Sequence, residues 1–359
     1  MRTFRAPGRA NLIGEHTDHT DGLVLPAAID RAVTLEADLG GPAIVLRSAQ
    51  ADGEVVVAAD GSQVPADGWG RFVAAVAAEL DAAGREPIGL RGQLASDLPQ
   101  GSGLSSSAAL EVVVATALCA AAEFELPPLE LAALCRRAEY RAVGVPSGIM
   151  DQAASLVGRA GHGVLLDCGV LTYEHVLLPE DHVLLLIDTG VRRQLETSGY
   201  AQRSDELQAA LPALGGRRPA EVDVGDLDRV LRGVDAIPAR RLRHVVTENA
   251  RVLAAAAAFE AHDLAAIGEL FAASHASLRD DYEVTIPELD ALVDLAGEAG
   301  ATAARMTGAG FGGAIVALAP AAEADRIGDE VEEAYRRRFP DHNPMVLRCL
   351  AADGAGEVT

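Results

Sequence analysis

The chain has 359 residues, is 49% hydrophobic and carries a formal net charge of −23. At about 100–200 residues per domain, that length predicts two domains. The acidity argues against a nucleic-acid or anionic-membrane partner, while a nucleotide can still be held by local Arg and backbone N–H groups. All 30 basic residues are Arg, which excludes a Lys nucleophile or base, a pyridoxal Schiff base and a Walker-A loop.

In chain order, short β-like runs come first: Gly22–Ala28, Ala32–Ala37, Ala43–Arg47 and Glu54–Ala58, separated by turns such as Gly40-Gly41-Pro42 and Asp52-Gly53. A helix is predicted over Trp69–Ala83 and a strand over Ile88–Ser96. An Ala/Val/Leu-rich stretch running to about Glu123 reads as a buried helix, and Leu129–Val143 as another, closed by Gly144. Strand-length apolar runs recur at Gly163–Asp167 and Val183–Asp188, with the Glu180-Asp181 turn as the entry to a second domain. Ser198 to about Leu278 is mostly helical, broken near Gly215-Gly216, and Arg217–Asp226 is the most loop-like stretch. Pro287–Gly300 and Ala321–Phe339 read as helices, and Thr302–Arg305, Ala314–Ala319 and Met345–Leu350 as strands. Helix and strand runs are grouped rather than alternating, which favours α+β over a doubly wound sheet.

The cysteines Cys119, Cys135, Cys168 and Cys349 lie too far apart for a zinc motif and suit a reduced cytoplasm. The first residues lack the apolar stretch of a secretory signal, and no apolar run nears the ~18 residues of a membrane span.

Four segments concentrate chemistry. Arg9–Asp18 (Arg-Ala-Asn-Leu-Ile-Gly-Glu-His-Thr-Asp) is either a polar surface loop or a set of donors and acceptors for a polyhydroxylated ligand. Leu98–Ala109 places Gly101, Ser102, Gly103, Leu104, Ser105, Ser106 and Ser107 at the mouth of the apolar helix. Backbone amides, hydroxyls and the helix dipole can cradle an anion there, and Ser107 could reach a magnesium ion; a plain Gly/Ser linker would hardly lead directly into such a helix. Gly308, Gly310 and Gly313 match Gly-x-Gly-x-x-Gly, but a strand follows where a dinucleotide site needs a helix. A strand–turn–strand remains, either purely structural or close to a phosphate. In Pro146–Gln152, Asp151 can be a base or a helix N-terminal residue.

Together, in this order and at these separations, the segments resemble the GHMP kinase superfamily. Gly8–Asp18, Leu25–Ala28, Gly148–Gln152 and Asp188–Tyr200 follow the pattern of the galactokinase family within it. The resemblance implies a two-domain α+β fold: a ribosomal-S5-like domain over residues 1–178, a ferredoxin-like domain over 179–359, and the active site in the cleft between them. It implies Mg²⁺- and ATP-dependent phosphorylation of the anomeric hydroxyl of D-galactose by a cytoplasmic monomer. Glu15, His16, Thr17, Asp18, Gly148 and Tyr200 fall on sugar-binding positions, Asp151 on the catalytic aspartate and Arg9 on the catalytic arginine. Ser107 and Glu139 fall on metal ligands, Gly101–Ser107 on the phosphate loop, and Ser48, Trp69 and Phe72 near the nucleotide. A carboxylate helps a poor sugar nucleophile lose its proton, whereas Arg stays protonated and neutralises developing phosphate charge.

The chain departs from the family pattern in places. His19-Thr20-Asp21-Gly22 replaces Tyr-Asn-x-Gly, Ser147 stands where many members have Cys, and Arg192-Arg193 stands where a basic residue precedes His. Two other readings compete: a kinase for another sugar, such as arabinose or N-acetylgalactosamine, and a non-catalytic sugar and ATP sensor. The intact Gly103–Ala109 run and the presence of both Arg9 and Asp151 argue against the sensor.

Overall fold

The protein's architecture, taken from a computed structural model, is described for residues 1–65, 67–99, 103–145, 147–191 and 196–358. It opens with two long paired strands, β1 (Arg2–Ile13) and β2 (Leu23–Leu39), followed by β3 (Ala43–Ser48), β4 (Ala51–Ala58), α1 (Gly70–Ala82) and β5 (Leu90–Ser96). Next come α2 (Ser106–Ala121), α3 (Pro128–Val143), α4 (Met150–Val157), β6 (His162–Asp167) and β7 (Thr172–Leu177). The second half holds β8 (His182–Asp188), α5 (Glu196–Gln208), α6 (Leu227–Val230), α7 (Ala236–Glu260), α8 (Leu264–Ser277) and α9 (Pro287–Glu298). It ends with β9 (Ala303–Thr307), β10 (Ala314–Pro320), α10 (Ala324–Arg338), β11 (Met345–Cys349) and β12 (Gly356–Val358).

The first sheet runs β12-β1-β2-β5-β3-β4, with β6 pairing the start of β2 and β7 pairing β6. Its helices lie against a core of Val, Leu, Ile and Ala. Val112, Val113, Val114, Ala117 and Leu118 of α2 are all buried, as an all-round apolar helix requires. The second sheet is antiparallel, in the order β11-β8-β10-β9. With helices between β8 and β9 and between β10 and β11, this is the β-α-β-β-α-β arrangement of ferredoxin-like domains. The two-domain α+β fold read from the grouped runs is the one observed.

The sequence reading differs from the structure at the N-terminus. Arg9–Ile13 belongs to β1, and the runs Gly22–Ala28 and Ala32–Ala37 are parts of one strand, because β2 keeps β1 as a neighbour along nearly its whole length. β7 and β12 were not expected: β7 is largely exposed and β12 is three residues long, so neither carries a strong apolar pattern. Among the described residues no helix is long and apolar enough to cross a membrane.

Two features position the site. The β1–β2 register shifts between Pro7 and Arg9 and again between Asn11 and Ile13, and such irregularities re-aim side chains. At the first shift, a Cβ on Gly8 would lie 2.6 Å from the Leu104 carbonyl oxygen, so only glycine lets β1 approach that segment. The second feature is α7, which places Leu242, Val245 and Val246 in the second core and Phe259 in the first, where Phe259 meets Phe271 of α8 edge-on at 6.5 Å.

Candidate active site

Arg9 leaves the shifted part of β1 and forks onto Asp151 in the first turn of α4. Its Nε donates to Oδ1 at 2.7 Å and its Nη2 to Oδ2 at 3.0 Å. Its Nη1 donates to the Gly103 carbonyl at 2.7 Å, and the Ser105 hydroxyl donates to Asp151 Oδ2. The pair therefore sits where the Gly103–Ser105 segment enters α2. Burial opposes the charge on Arg9, but Asp151, Glu15 and Asp18 outweigh it and raise its pKa further. Asp151 is thus both a first-turn residue, where the helix dipole favours a carboxylate, and a group presented to the cleft.

A cavity of about 220 Å³ opens over this pair. Arg9, Glu15, His16, Asp18, Glu139, Gly148, Asp151 and Tyr200 all line it, with Ser147 and Gly308 beside them. Glu15 accepts the Gly308 amide at 2.8 Å and lies 3.5 Å from Arg305 Nη1. Burial raises the pKa of Glu15, and Arg305 and Arg9 offset that in part. Arg305 also donates to the Leu12 carbonyl at 3.0 Å, so one buried guanidinium ties β9 to the end of β1. His16 is in the left-handed region (φ 61°) and packs on Tyr282 at 4.6 Å between ring centres. Burial, and then His19, His244 and Arg305, push its pKa well down, so the ring is neutral.

Asp18 lies in the short turn Asp18–Thr20, pressed against Gly148: a Cβ there would be 1.7 Å from Asp18 Oδ2. Tyr200 arrives from α5, its ring 5.8 Å from that of His16, and burial followed by Asp18 pushes its pKa up. Thr17 differs from the sequence expectation. Its hydroxyl donates within the turn, to the Gly14 and Leu23 carbonyls at 2.9 and 2.7 Å, so it shapes the turn instead of facing the cavity.

Glu139 of α3 accepts from Ser107 at 3.0 Å, Ser147 at 2.9 Å and Gln152 at 3.0 Å. Behind it, Gln152 also donates to Glu111 of α2, whose carboxyl is pushed up to about 9 by burial and by Glu139. Ser107 and Glu139 together offer the hard oxygen donors that suit Mg²⁺, which commonly takes one or two protein ligands and fills its remaining sites with phosphate and water. No cluster of three His, Cys, Asp or Glu residues able to hold a metal occurs among the described residues.

Ser107 also lines a second cavity, of about 280 Å³, with Ser48, Trp69, Phe72, Leu94, Leu98, Ser106 and Leu110. Leu104 is buried, and its carbonyl accepts the Arg9 amide at 3.3 Å. Gly101, Ser102, Pro146 and Arg192-Arg193 lie outside the described residues. The glycine motif is a strand–turn–strand between β9 and β10. Gly310 has φ 81°, and a Cβ on it would lie 2.3 Å from the Val284 carbonyl oxygen.

Sequence reasoning assigned no role to Arg305, Gln152, Glu111, His244 or Tyr282. Gln152 at least closed the Pro146–Gln152 segment, and Arg305 stood just before the glycine motif. His244 bridges the Ser277 hydroxyl (3.0 Å) and the Glu15 carbonyl (3.1 Å), a link across 229 positions that no local pattern announces.

Comparison with known proteins agrees with this geometry. Residues 71–159 match the GHMP kinases N terminal domain, 255–337 the GHMP kinases C terminal domain, and 2–38 the galactokinase galactose-binding signature. These matches and the fold define a GHMP kinase, an ATP-dependent phosphotransferase. A galactokinase of Roseiflexus sp. (strain RS-1) is 41% identical, over 99% of this chain and 92% of the relative. One from Thermococcus kodakarensis is 39% identical, over 99% of both chains. The crystal structure of Lactococcus lactis galactokinase complexed with galactose superposes with a TM-score of 0.94 at 34% identity, covering 99% of this chain and 95% of that one. A mevalonate kinase at 18% identity and TM-score 0.64 shares the fold. The chain belongs to the galactokinase family.

Proposed function

We infer that the chain transfers the γ-phosphate of ATP to the anomeric hydroxyl of D-galactose, giving α-D-galactose 1-phosphate and ADP. The observation that carries this reading is the forked Arg9–Asp151 pair. It lies in the polar cavity at the entry of α2, while Ser107 and Glu139 link that cavity to the apolar-walled one. In this reading the sugar occupies the first cavity, where Asp18, Glu15, His16 and Tyr200 offer acceptors and donors to its hydroxyls. The adenine occupies the second, against Trp69 and Phe72, with its phosphates along 101–107.

Asp151 accepts the anomeric proton as the O–P bond forms and the bond to ADP breaks. Arg9 holds Asp151 in place and, being fixed as a cation, neutralises charge that develops on the transferred phosphoryl group. Ser107 and Glu139 would hold Mg²⁺, which supplies neutralisation of the nucleotide phosphates when bound.

Residues 1–178 and 179–359 form the two domains in this reading, with β12 returning to the first sheet. One chain supplies every residue invoked, which fits a monomer. The free cysteines suit the cytoplasm.

The test is a coupled ADP-release assay across a panel of monosaccharides, with the product examined by phosphorus NMR. Galactose should be preferred over glucose by at least about tenfold in kcat/KM, with a 1-phosphate product. Preference for arabinose or N-acetylgalactosamine would move the chain to another sugar, and ATP and sugar binding without ADP release would favour the sensor.

A further inference from the structure

We propose that His19 is a positioning residue for Asp18 and sets how strictly the site chooses among sugars. The inference rests on the sugar-kinase reading and goes beyond it. His19 lies in the Asp18–Thr20 turn with a side chain only 11% exposed, and neither ring nitrogen has a hydrogen-bond partner among the described residues. A neutral imidazole has one N–H and one lone pair, and leaving both buried and unpaired is unfavourable. Asp18 Oδ1 lies 3.6 Å from Nδ1. That is too long for a hydrogen bond, but a small turn of either side chain closes it.

The surroundings limit where the ring can go. The His16 ring stands nearly perpendicular at 6.3 Å and the Tyr200 ring is inclined by 60° at 5.9 Å, so rings flank His19 beside the carboxylate. The other Asp18 oxygen, Oδ2, lies over Gly148 on the cavity wall. With Nδ1–H donating to Oδ1, the carboxylate plane is pinned and Oδ2 is turned toward the ligand. A carboxylate free to swing can accept hydroxyls of either configuration, whereas a pinned one leaves a misdirected hydroxyl unpaired and rejects it. His19 touches no ligand in this scheme, because it does not line the cavity. It is also a position where this chain departs from the family pattern, so its effect belongs to this chain's own selectivity.

The test uses the full chain with ATP and compares His19→Ala, His19→Asn and His19→Gln, each alone and with Asp18→Asn. His19→Ala should raise the galactose KM about tenfold with kcat nearly unchanged, and should narrow the galactose-to-glucose kcat/KM ratio by a similar factor. The amide nitrogen of Asn can stand near the position of Nδ1, so His19→Asn should restore most of both, and His19→Gln should not. In the Asp18→Asn background His19→Ala should change little, because its partner is already altered.

Equal losses in both backgrounds, or a fall in kcat with KM and the sugar ratio unmoved, would overturn the proposal. So would failure of His19→Asn to rescue while its melting temperature matches wild type. Failure of the galactose reading looks different: the wild type would turn over another sugar, and the same His19–Asp18 coupling would then be read on that sugar.

Discussion

In the proposed reading the two cavities recognise their ligands by opposite means. The first cavity, assigned above to the sugar, is walled by Arg9, Glu15, His16, Asp18, Glu139, Asp151 and Tyr200, and several of these are held by hydrogen bonds, such as Glu15 to Gly308 at 2.8 Å. The second cavity, assigned above to the nucleotide, is walled mainly by Val33, Trp69, Phe72, Leu94, Leu98 and Leu110, with Ser48, Ser96, Ser106, Ser107 and Gln50 as its polar lining. Directional groups discriminate strongly because a mismatch strands a buried partner. Apolar walls hold a flat base by contact area, so each wall residue contributes a little. Single-atom changes should therefore be costly on the sugar side and mild on the nucleotide side.

The largest break is expected at Asp151. Asp151→Asn keeps the shape and an acceptor for Arg9 but removes the base, so kcat should fall about 10²–10⁴-fold. Galactose affinity, measured by calorimetry, should stay within a few-fold of wild type. A variant within about tenfold of wild-type kcat would take Asp151 out of proton transfer.

Next comes Gly148. A methyl group at this position overlaps the Asp18 carboxylate, since a Cβ would sit 1.7 Å from Oδ2. Gly148→Ala should displace Asp18 and lower galactose kcat/KM about 10–10²-fold, because small misplacements of positioning groups are expensive. The ATP KM should stay near wild type. A large rise in ATP KM would mean that the two cavities are not separable.

The nucleotide side should respond more gently. Trp69 is the only tryptophan in the chain, so its fluorescence reports on that cavity alone. ADP should change the emission and galactose should not. Trp69→Ala should raise the ATP KM about 3–10-fold, the range expected when one part of an apolar wall is lost. No fluorescence response to nucleotide would place adenine elsewhere.

The same contrast governs what could be read from sequence. The segment Arg9 to Asp18 is contiguous, so its density of donors and acceptors stood out, and Tyr200 and Gly148 could be attached by resemblance. Thr17 shows the limit: the resemblance puts it on a sugar position, but backbone geometry turns its hydroxyl onto Gly14 and Leu23. The nucleotide wall draws on β2, β3, α1, β5 and α2, and its residues look like ordinary core until the sheet forms. Glu111 was hidden for the opposite reason, as one acidic residue inside an otherwise apolar helix. Arg305 and His244 act across more than two hundred positions, and no periodicity encodes such a bond. The grouping of helices and strands survived because it depends on local apolar pattern, while β1 was partly missed because its polar motif is buried by pairing with β2 and by the second domain.

A last effect is on stability and concerns acid, through His244 behind the first cavity. His16, His244 and His275 are buried, and burial is the first cause pushing each pKa down, that of His244 from 6.5 to about 4. Between those two values the unfolded chain binds a proton at His244 that the folded chain does not. Stability at this residue is therefore fully present above pH 6.5 and is lost as pH falls toward 4, by about 2 kcal/mol at pH 5. Glu248 works in a separate, lower window. Burial opposes its charge, but Arg251, His244 and Arg305 bring its pKa to about 2, so its share is lost only as pH drops below 4.5. Urea unfolding at a series of pH values should show stability falling between pH 7 and 5, and His244→Asn should remove up to about 1.4 kcal/mol per pH unit from that slope. Stability that is flat over this range, or a slope unaltered in His244→Asn, would show that the ring is protonated in the folded protein and that the bond from its Nε2 to the Glu15 carbonyl is that of an imidazolium.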